Sequence, residues 1–130
     1  MTRAMIFEGN PIIQEFFADI FGSRFPSVEI LVISDANGAM EKVESFLPDI
    51  VLIDVNLRGE SAFYLTQKIK AQCPGSTVLL ICSYDLPEYR EKAYAHGADY
   101  FMVKESAAGD YIDLIDSILS GQRHPEQEAV

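Results

Sequence analysis

One carboxylate, at the end of a predicted buried strand, is better placed to be a reactive group than any other side chain in this sequence. Residues 50–53 (Ile-Val-Leu-Ile) predict a strand covered on both faces, and Asp54 follows them directly. The chain then turns through Asn56 and Gly59. Open α/β sheets bind their ligands outside the carboxyl ends of their strands. Asp54 therefore stands where a reactive group of such a sheet is expected.

Polar residues also stand at the carboxyl ends of three further predicted strands. Glu8 follows the first strand, Cys82 and Ser83 end the fourth, and Lys104 follows the fifth. In a doubly wound sheet these ends converge on one crevice. With Asp54, the crevice would hold two carboxylates, a small thiol or hydroxyl, and an ammonium group.

This set of groups suits the transfer of a phosphoryl group to a carboxylate. Two acids and a backbone carbonyl can hold Mg²⁺ through hard oxygen ligands, and the ion would offset the repulsion between Asp54 and phosphate. Lys104 can pair with one phosphate oxygen, and Ser83 or Cys82 can donate to another. The protein would then contribute positioning and electrostatics.

Each of these residues also has an ordinary structural explanation when it is taken alone. A strand-end aspartate such as Asp54 is often a solvated turn residue or a helix cap. Lys104 can be a surface lysine, Cys82 a small buried apolar residue, and Ser83 a cap of the next helix. The joint occurrence of polar groups at four strand ends is what favours a functional site.

The elements that would position these groups alternate regularly along the chain. Five short apolar runs predict strands, most of them continuously apolar, at residues 4–7, 28–33, 50–53, 78–81 and 100–103. Five helical patterns alternate with them, and the connections are only a few residues long. The sequence therefore predicts one α/β domain, in which a parallel sheet with right-handed crossovers carries helices on both faces.

The first helix has the clearest signals. Asn10 can cap it, Pro11 suits its first position, and Gly22 is expected to end it. The apolar stripe of the second helix runs from Ala36 to Leu47. Turn residues are expected to end the remaining helical patterns, with the stops at Pro48, Pro74, Gly97 and Gly121.

Composition limits the classes of protein to which the chain can belong. Hydrophobic residues make up 48% of the 130 residues, which is enough for one packed core. No apolar run approaches the roughly 20 residues of a membrane span, and a cytoplasmic protein is the default expectation. Subtracting 20 acidic from 10 basic residues gives a formal charge of −10, which argues against direct nucleic-acid binding. Cys73 and Cys82 are expected to be free thiols.

Three segments together resemble the CheY-like receiver domains of bacterial two-component response regulators. They are residues 48–54, 78–83 and 97–104, and the resemblance extends from residue 3 to about 121. The pair Lys104-Glu105 is similar to that of NarL/FixJ-type receivers, which usually precede a helix-turn-helix domain. The resemblance implies a (βα)5 flavodoxin-like fold with five parallel strands in the order 2-1-3-4-5. The receiver domain would span residues 1–121, and residues 122–130 would form a tail or the start of a linker.

The resemblance also implies a role for each matching residue. Asp54 matches the phosphoacceptor, Asn56 the residue whose backbone carbonyl binds Mg²⁺, and Lys104 the lysine that contacts the phosphoryl group. Phe101 matches the aromatic switch residue, which rotates inward on activation.

The implied partners are a sensor histidine kinase and either a downstream effector protein or a C-terminal output domain. A second copy of the chain is a further partner that the resemblance allows. A receiver is not an enzyme, apart from catalysing its own phosphorylation and dephosphorylation.

Three positions depart from the pattern of the family. Gly9 stands where the family has a second acid that ligates Mg²⁺, so the metal site loses a charge unless the longer Glu8 side chain replaces it. Cys82, rather than Ser83, falls at the usual Thr/Ser switch position, where a thiol is a weak donor. Arg58 stands where the loop usually has proline, which we expect to affect loop rigidity more than chemistry.

Two functions of different classes follow from these residues. In the first, a histidine kinase donates a phosphoryl group to Asp54 with Mg²⁺, which shifts an equilibrium between two conformations. In the second, the chain is an atypical receiver that binds a partner through its fourth and fifth helices regardless of phosphate. Asp54, Asn56 and Lys104 favour the first function, whereas Gly9 and Cys82 favour the second.

Overall fold

The computed structural model describes residues 2–121, in which helices cover both faces of a five-stranded sheet. The strands are β1 (Arg3–Phe7), β2 (Glu29–Ile33), β3 (Ile50–Asp54), β4 (Thr77–Cys82) and β5 (Tyr100–Val103). The helices are α1 (Pro11–Arg24), α2 (Ala39–Phe46), α3 (Ala62–Gln72), α4 (Pro87–Ala95) and α5 (Ala108–Leu119). All paired strands are parallel, in the order β2-β1-β3-β4-β5, which confirms the predicted fold.

The tail or linker predicted at residues 122–130 lies outside the described residues. Within the described part of the chain, no helix is both long and apolar enough to cross a membrane.

The register of the strands brings their carboxyl ends to one edge of the sheet. Phe7 at the end of β1 lies opposite both Ile33 of β2 and Ile53 of β3. Asp54 lies opposite Ile81 of β4. Residues that directly follow these strands therefore meet at the same edge, as the strand-end argument requires.

Apolar side chains on the two faces of the sheet form two cores. One core packs α1 and α5 against the sheet, and its buried helical residues are Phe17, Ile20, Phe21, Tyr111, Leu114 and Ile115. The other packs α2, α3 and α4 against the opposite face, with Val43, Leu65, Ile69 and Ala93 among its buried residues. Every residue of β3 is buried, which explains its continuously apolar run. At the edge of the sheet, β2 is only partly buried and its Glu29 is exposed.

The first helix begins as predicted but ends later. The side chain of Asn10 accepts a hydrogen bond from the backbone N–H of Ile12 (2.9 Å), and Pro11 occupies the first turn. The prediction that Gly22 ends the helix is wrong, because α1 continues to Arg24. A single glycine weakens a helix by only about 1 kcal/mol, and the buried residues of the α1 stripe offset that loss.

The second helix is shorter than its apolar stripe suggested. It begins at Ala39, after Gly38 has turned the chain with a φ of 65°, rather than at Ala36. It ends at Phe46, because Leu47 adopts a left-handed conformation with a φ of 54°. Leu47 is 61% exposed, so it extends the apolar pattern in the sequence without joining the core.

Candidate functional site

A cleft of about 700 Å³ opens at the carboxyl edge of the sheet. Its lining contains four of the candidate site residues, namely Glu8, Asp54, Asn56 and Lys104. It also contains two charged residues that were given no chemical role in the sequence, Asp35 and Arg58. The strand-end argument therefore correctly predicts that groups from β1, β3 and β5 come together.

Asp54 is held by hydrogen bonds to both of its carboxylate oxygens. The residue closes β3 and is only 5% exposed. The backbone N–H of Asn56 donates to its Oδ1 (3.0 Å), and the ammonium of Lys104 donates to its Oδ2 (3.0 Å). The carboxylate is therefore fixed in orientation by the turn that follows β3 and by a cation from the end of β5.

Lys104 forms ion pairs with two carboxylates. Its Nζ lies 3.0 Å from Asp54 Oδ2 and 3.3 Å from Glu8 Oε1. Burial by itself lowers the pKa of Lys104, but the hydrogen bond and the attraction to Asp54, with a smaller attraction to Glu8, outweigh it. The pKa of Lys104 therefore lies above its usual value, and the ammonium form persists at neutral pH.

Glu8 is the more deeply buried of the two acids, with 2% of the residue exposed. Its Oε2 accepts a hydrogen bond from the backbone N–H of Asn10 (3.1 Å). Burial raises the pKa of Glu8 above its ordinary value, and repulsion from Asp54 adds to this, while Asn10 and Lys104 oppose it. Two acids thus share a single ammonium group.

The residues present fit a reduced Mg²⁺ site. Gly9 supplies no carboxylate, and no group of three His, Cys, Asp or Glu side chains suited to a metal occurs in residues 2–121. Glu8 Oε1, however, is buried and has no hydrogen-bond partner within these residues, although Lys104 lies at ion-pairing distance. The Glu8 and Asp54 carboxylates and the carbonyl of Asn56 form a hard oxygen donor set of the kind Mg²⁺ takes together with several waters.

Neither Cys82 nor Ser83 belongs to the lining of the cleft. Cys82 ends β4 with 1% exposure, and its side chain packs in the core on the α2, α3 and α4 side. Its sulfur accepts a hydrogen bond from the backbone N–H of Tyr84 (3.5 Å). Ser83 is exposed. The backbone of Cys82 nevertheless adjoins the site, because its carbonyl accepts a hydrogen bond from the backbone N–H of Lys104 (2.8 Å).

Comparison with known proteins decides the family. A family model described as the response regulator receiver domain matches residues 4–116. The chain belongs to this family. It is a receiver domain of the kind found in two-component systems, and such receivers are generally signalling domains rather than enzymes.

Individual relatives agree with this assignment. The Fimbriae Z protein of Salmonella typhimurium is 26% identical over 120 residues, which are 92% of this chain and 57% of that protein. A LuxR-family two-component response regulator from Aurantimonas is 25% identical, with a TM-score of 0.82 and coverage of 99% of this chain and 94% of that one.

The signal receiver domain of NarL from Mycobacterium tuberculosis shares the fold. It is 22% identical, with a TM-score of 0.83 and coverage of 93% of this chain and 98% of that one. The receiver spans 57% to 58% of the length of the first curated relatives that it matches.

The aromatic residue of β5 faces the interior of the receiver. Phe101 is 1% exposed and packs in the same core as Cys82. The guanidinium of Arg90, on α4, lies 4.8 Å from the centroid of the Phe101 ring, a cation–π distance. Arg90 also contacts Asp85 (3.3 Å). The ring is thus in the inward position, covered by a side chain from α4.

Two charged residues of the cleft were not predicted from the sequence. Asp35 lies two residues after the end of β2, whereas Glu8 directly follows β1, so a search one residue beyond the second strand end would have found Asp35. Its Oδ1 accepts a hydrogen bond from the backbone N–H of Asn37 (2.8 Å). Arg58 was interpreted only as a loop residue, yet it lines the same cleft as Asp54. No local pattern in the sequence marks an exposed arginine as part of a cleft.

Proposed function

We propose that this receiver accepts a phosphoryl group on Asp54 and thereby changes its affinity for partner proteins. The observation that carries the proposal is the Lys104 ammonium, 3.0 Å from the buried Asp54 carboxylate, in a cleft open to solvent. Lysine recognises phosphate as a point charge, so the Lys104 ammonium can contact an oxygen of the transferred group without a fixed orientation. Membership of the receiver family supports the same role for Asp54.

The chemistry is a displacement at phosphorus. An oxygen of Asp54 attacks the phosphorus atom of a phosphohistidine, the O–P bond forms, and the P–N bond breaks. The electron pair of the broken bond stays on the leaving imidazole. The backbone N–H of Asn56 orients the attacking carboxylate, and Lys104 stabilises the charge of the transferred group.

A magnesium ion would bind to Glu8, Asp54 and the carbonyl of Asn56. When bound, it supplies charge neutralisation between the acceptor and the incoming phosphate. The Glu8 carboxylate replaces only part of the ligand set, because Gly9 supplies no carboxylate. We therefore expect Mg²⁺ to bind more weakly here than in a site with a further carboxylate.

The partners follow from the same role. A sensor histidine kinase is the phosphoryl donor, and the receiver of residues 1–121 acts in the cytoplasm on an effector protein or on an output domain of its own protein. A second copy of the chain is a further candidate partner. The formal charge of −10 opposes contact between this chain and nucleic acid, so such binding falls to a partner or another domain.

Intact-mass measurement tests the proposal. Incubation with Mg²⁺ and a small phosphodonor should add one phosphoryl group to the wild-type chain and none to Asp54→Asn, which removes the nucleophile while keeping the shape of the side chain. An equal adduct on the Asp54→Asn variant would contradict the assignment of Asp54.

The variant Gly9→Asp distinguishes a receiver that is phosphorylated from one that acts as a phosphorylation-independent interaction module. A Cβ at Gly9 would lie 3.1 Å from the Ser34 carbonyl oxygen, so an aspartate there requires this carbonyl to move by a few tenths of an ångström. We expect Gly9→Asp to accept phosphate at lower Mg²⁺ than wild type does. An adduct on Gly9→Asp with none on wild type at any Mg²⁺ concentration would favour the module instead.

A further inference from the structure

The cleft contains a second cation that the proposed function does not use. Arg58 lies on the loop after β3, is exposed, and lines the same cleft as Asp54 and Lys104. Within residues 2–121 its guanidinium takes part in no ion pair or hydrogen bond. Lys104, by contrast, is already paired with two carboxylates. Arg58 is therefore the cation of the cleft whose donors are available to a ligand.

The backbone that carries Arg58 is fixed against the neighbouring loop. The Arg58 carbonyl accepts a hydrogen bond from the backbone N–H of Ala36 (2.8 Å). The next residue, Gly59, has a φ of 103°, and a Cβ there would lie 3.2 Å from Asn37 Oδ1 and 3.3 Å from Ala36. Only glycine suits that close approach at a positive φ. The loop after β3 therefore holds Arg58 at the rim of the cleft, beside the loop after β2.

The charges in the cleft indicate what Arg58 binds. Glu8, Asp35 and Asp54 repel an approaching phosphate, and Lys104 offsets only part of this repulsion. A guanidinium group presents parallel N–H donors that match two oxygens of a phosphate, and it stays charged at any physiological pH. An arginine free of carboxylate partners therefore attracts the anion that the acids repel.

We propose that Arg58 is a second phosphate-binding residue, which contacts the phosphoryl group as it passes from the donor to Asp54. The inference rests on the proposed function, because the bonds formed and broken are the same O–P and P–N bonds. Arg58 donates hydrogen bonds to non-bridging oxygens of the group in transfer, in addition to the contact that Lys104 makes with that group from beside Asp54. Arg58 adds a positive charge to a cleft that already has one negative charge fewer, because Gly9 stands where the family has an acid.

The rate of phosphoryl transfer tests the inference. With a small phosphodonor, Arg58→Ala should lower the second-order rate constant by about tenfold or more, as loss of a charge-assisted hydrogen bond does. Arg58→Lys keeps the charge but loses the paired donors, so its rate constant should lie between those of wild type and Arg58→Ala. The control is Arg24→Ala, an exposed arginine in the last turn of α1, which makes the same change in net charge. Equal rates for Arg58→Ala and Arg24→Ala would overturn the inference.

A second measurement separates this inference from the proposed function. Inorganic phosphate, titrated into wild type in the absence of phosphodonor, should shift the backbone amide signals of residues 55–59, and Arg58→Ala should abolish the shifts. The same spectra report whether the variants are folded. If wild type forms no adduct but binds phosphate through Arg58, the proposed function fails and the anion site stands. If neither the rate nor the phosphate shifts depend on Arg58, the inference is wrong.

Discussion

At the scale of single residues, the site contains two buried acids that share the ammonium group of one lysine. Lys104 contacts both Glu8 and Asp54, and neither acid is more than 5% exposed. Burying a carboxylate without a partner costs several kcal/mol, so the shared ammonium is what allows both acids to stay in the cleft. Glu8 has the less favourable position, because burial and Asp54 raise its pKa.

This imbalance predicts that the ionisation of Glu8 opposes folding. Below the ordinary glutamate pKa of 4.5, Glu8 is protonated in both the folded and the unfolded chain. As the pH rises above it, the unfolded chain loses the proton first, so stability falls as the pH rises through the higher folded-state pKa. Glu8→Gln cannot ionise. The stability of Glu8→Gln relative to wild type should therefore increase as the pH rises from about 4.5 towards 7, by about 1.4 kcal/mol for each unit between the two pKa values.

Urea denaturation at several pH values measures this difference. Glu15→Gln changes an exposed glutamate on α1 and controls for the loss of one negative charge. If the free energies of unfolding of Glu8→Gln and wild type differ by a constant amount from about pH 4 to 7, ionisation of Glu8 does not oppose folding.

Which site residues could be predicted depended on whether they belong to a strand end or to a loop. Glu8, Asp54 and Lys104 follow buried apolar runs, and parallel pairing brings such positions together without any knowledge of the loops. Cys82 also ends a strand, but its side chain packs into the core, and the direction of one side chain at a strand end depends on tertiary packing. Arg58 reaches the cleft through a loop conformation that depends on Gly59 and Ala36, which lie on different loops.

At the scale of elements, the first turn of α1 connects helix stability to the site. The side chain of Asn10 caps the helix, while its backbone N–H donates to Glu8. Asn10→Ala should lower the free energy of unfolding by about 1 kcal/mol, because the cap is lost. Asn10→Ser keeps a capping oxygen and should lower it much less. Both variants keep the backbone N–H, so both should form the phosphoryl adduct at the wild-type rate.

Denaturation curves and adduct rates for the two variants check this separation. Equal stabilities for Asn10→Ala and Asn10→Ser would show that the side chain does not cap α1. A rate that falls with Asn10→Ala alone would show that its side chain acts in the cleft.

The same scale shows where sequence patterns predict element bounds and where they do not. The start of α1 was predicted because a capping residue and a proline act locally. Its end was not, because packing of the α1 stripe on the sheet carries the helix through Gly22 to Arg24. The apolar Leu47 extended the stripe of α2, but its left-handed backbone ends the helix one residue earlier. Local signals thus located the helices, and tertiary contacts set their limits.

At the scale of the whole molecule, two apolar cores hold the sheet so that its polar groups collect at one edge. The α1 and α5 core and the α2, α3 and α4 core bury opposite faces of the same strands. Phe101 belongs to the second core, and Arg90 of α4 covers its ring, which connects β5 to the helical surface beside it. If Asp54 is phosphorylated as we propose, we expect the added charge to bias the contact between β5 and α4, since a switch needs an element with two arrangements.

The chemical identity of the phosphorylated side chain shows whether Asp54 is the phosphoacceptor. After incubation with Mg²⁺ and a phosphodonor, borohydride reduction converts an aspartyl phosphate to homoserine, and peptide mass spectrometry then identifies the reduced position. We expect Asp54 to be the residue converted to homoserine in the wild-type receiver, and no residue to be reduced in Asp54→Asn. Reduction at Glu8 or Asp35 with Asp54 intact, or no reduced residue under conditions that phosphorylate Gly9→Asp, would show that Asp54 is not the phosphoacceptor.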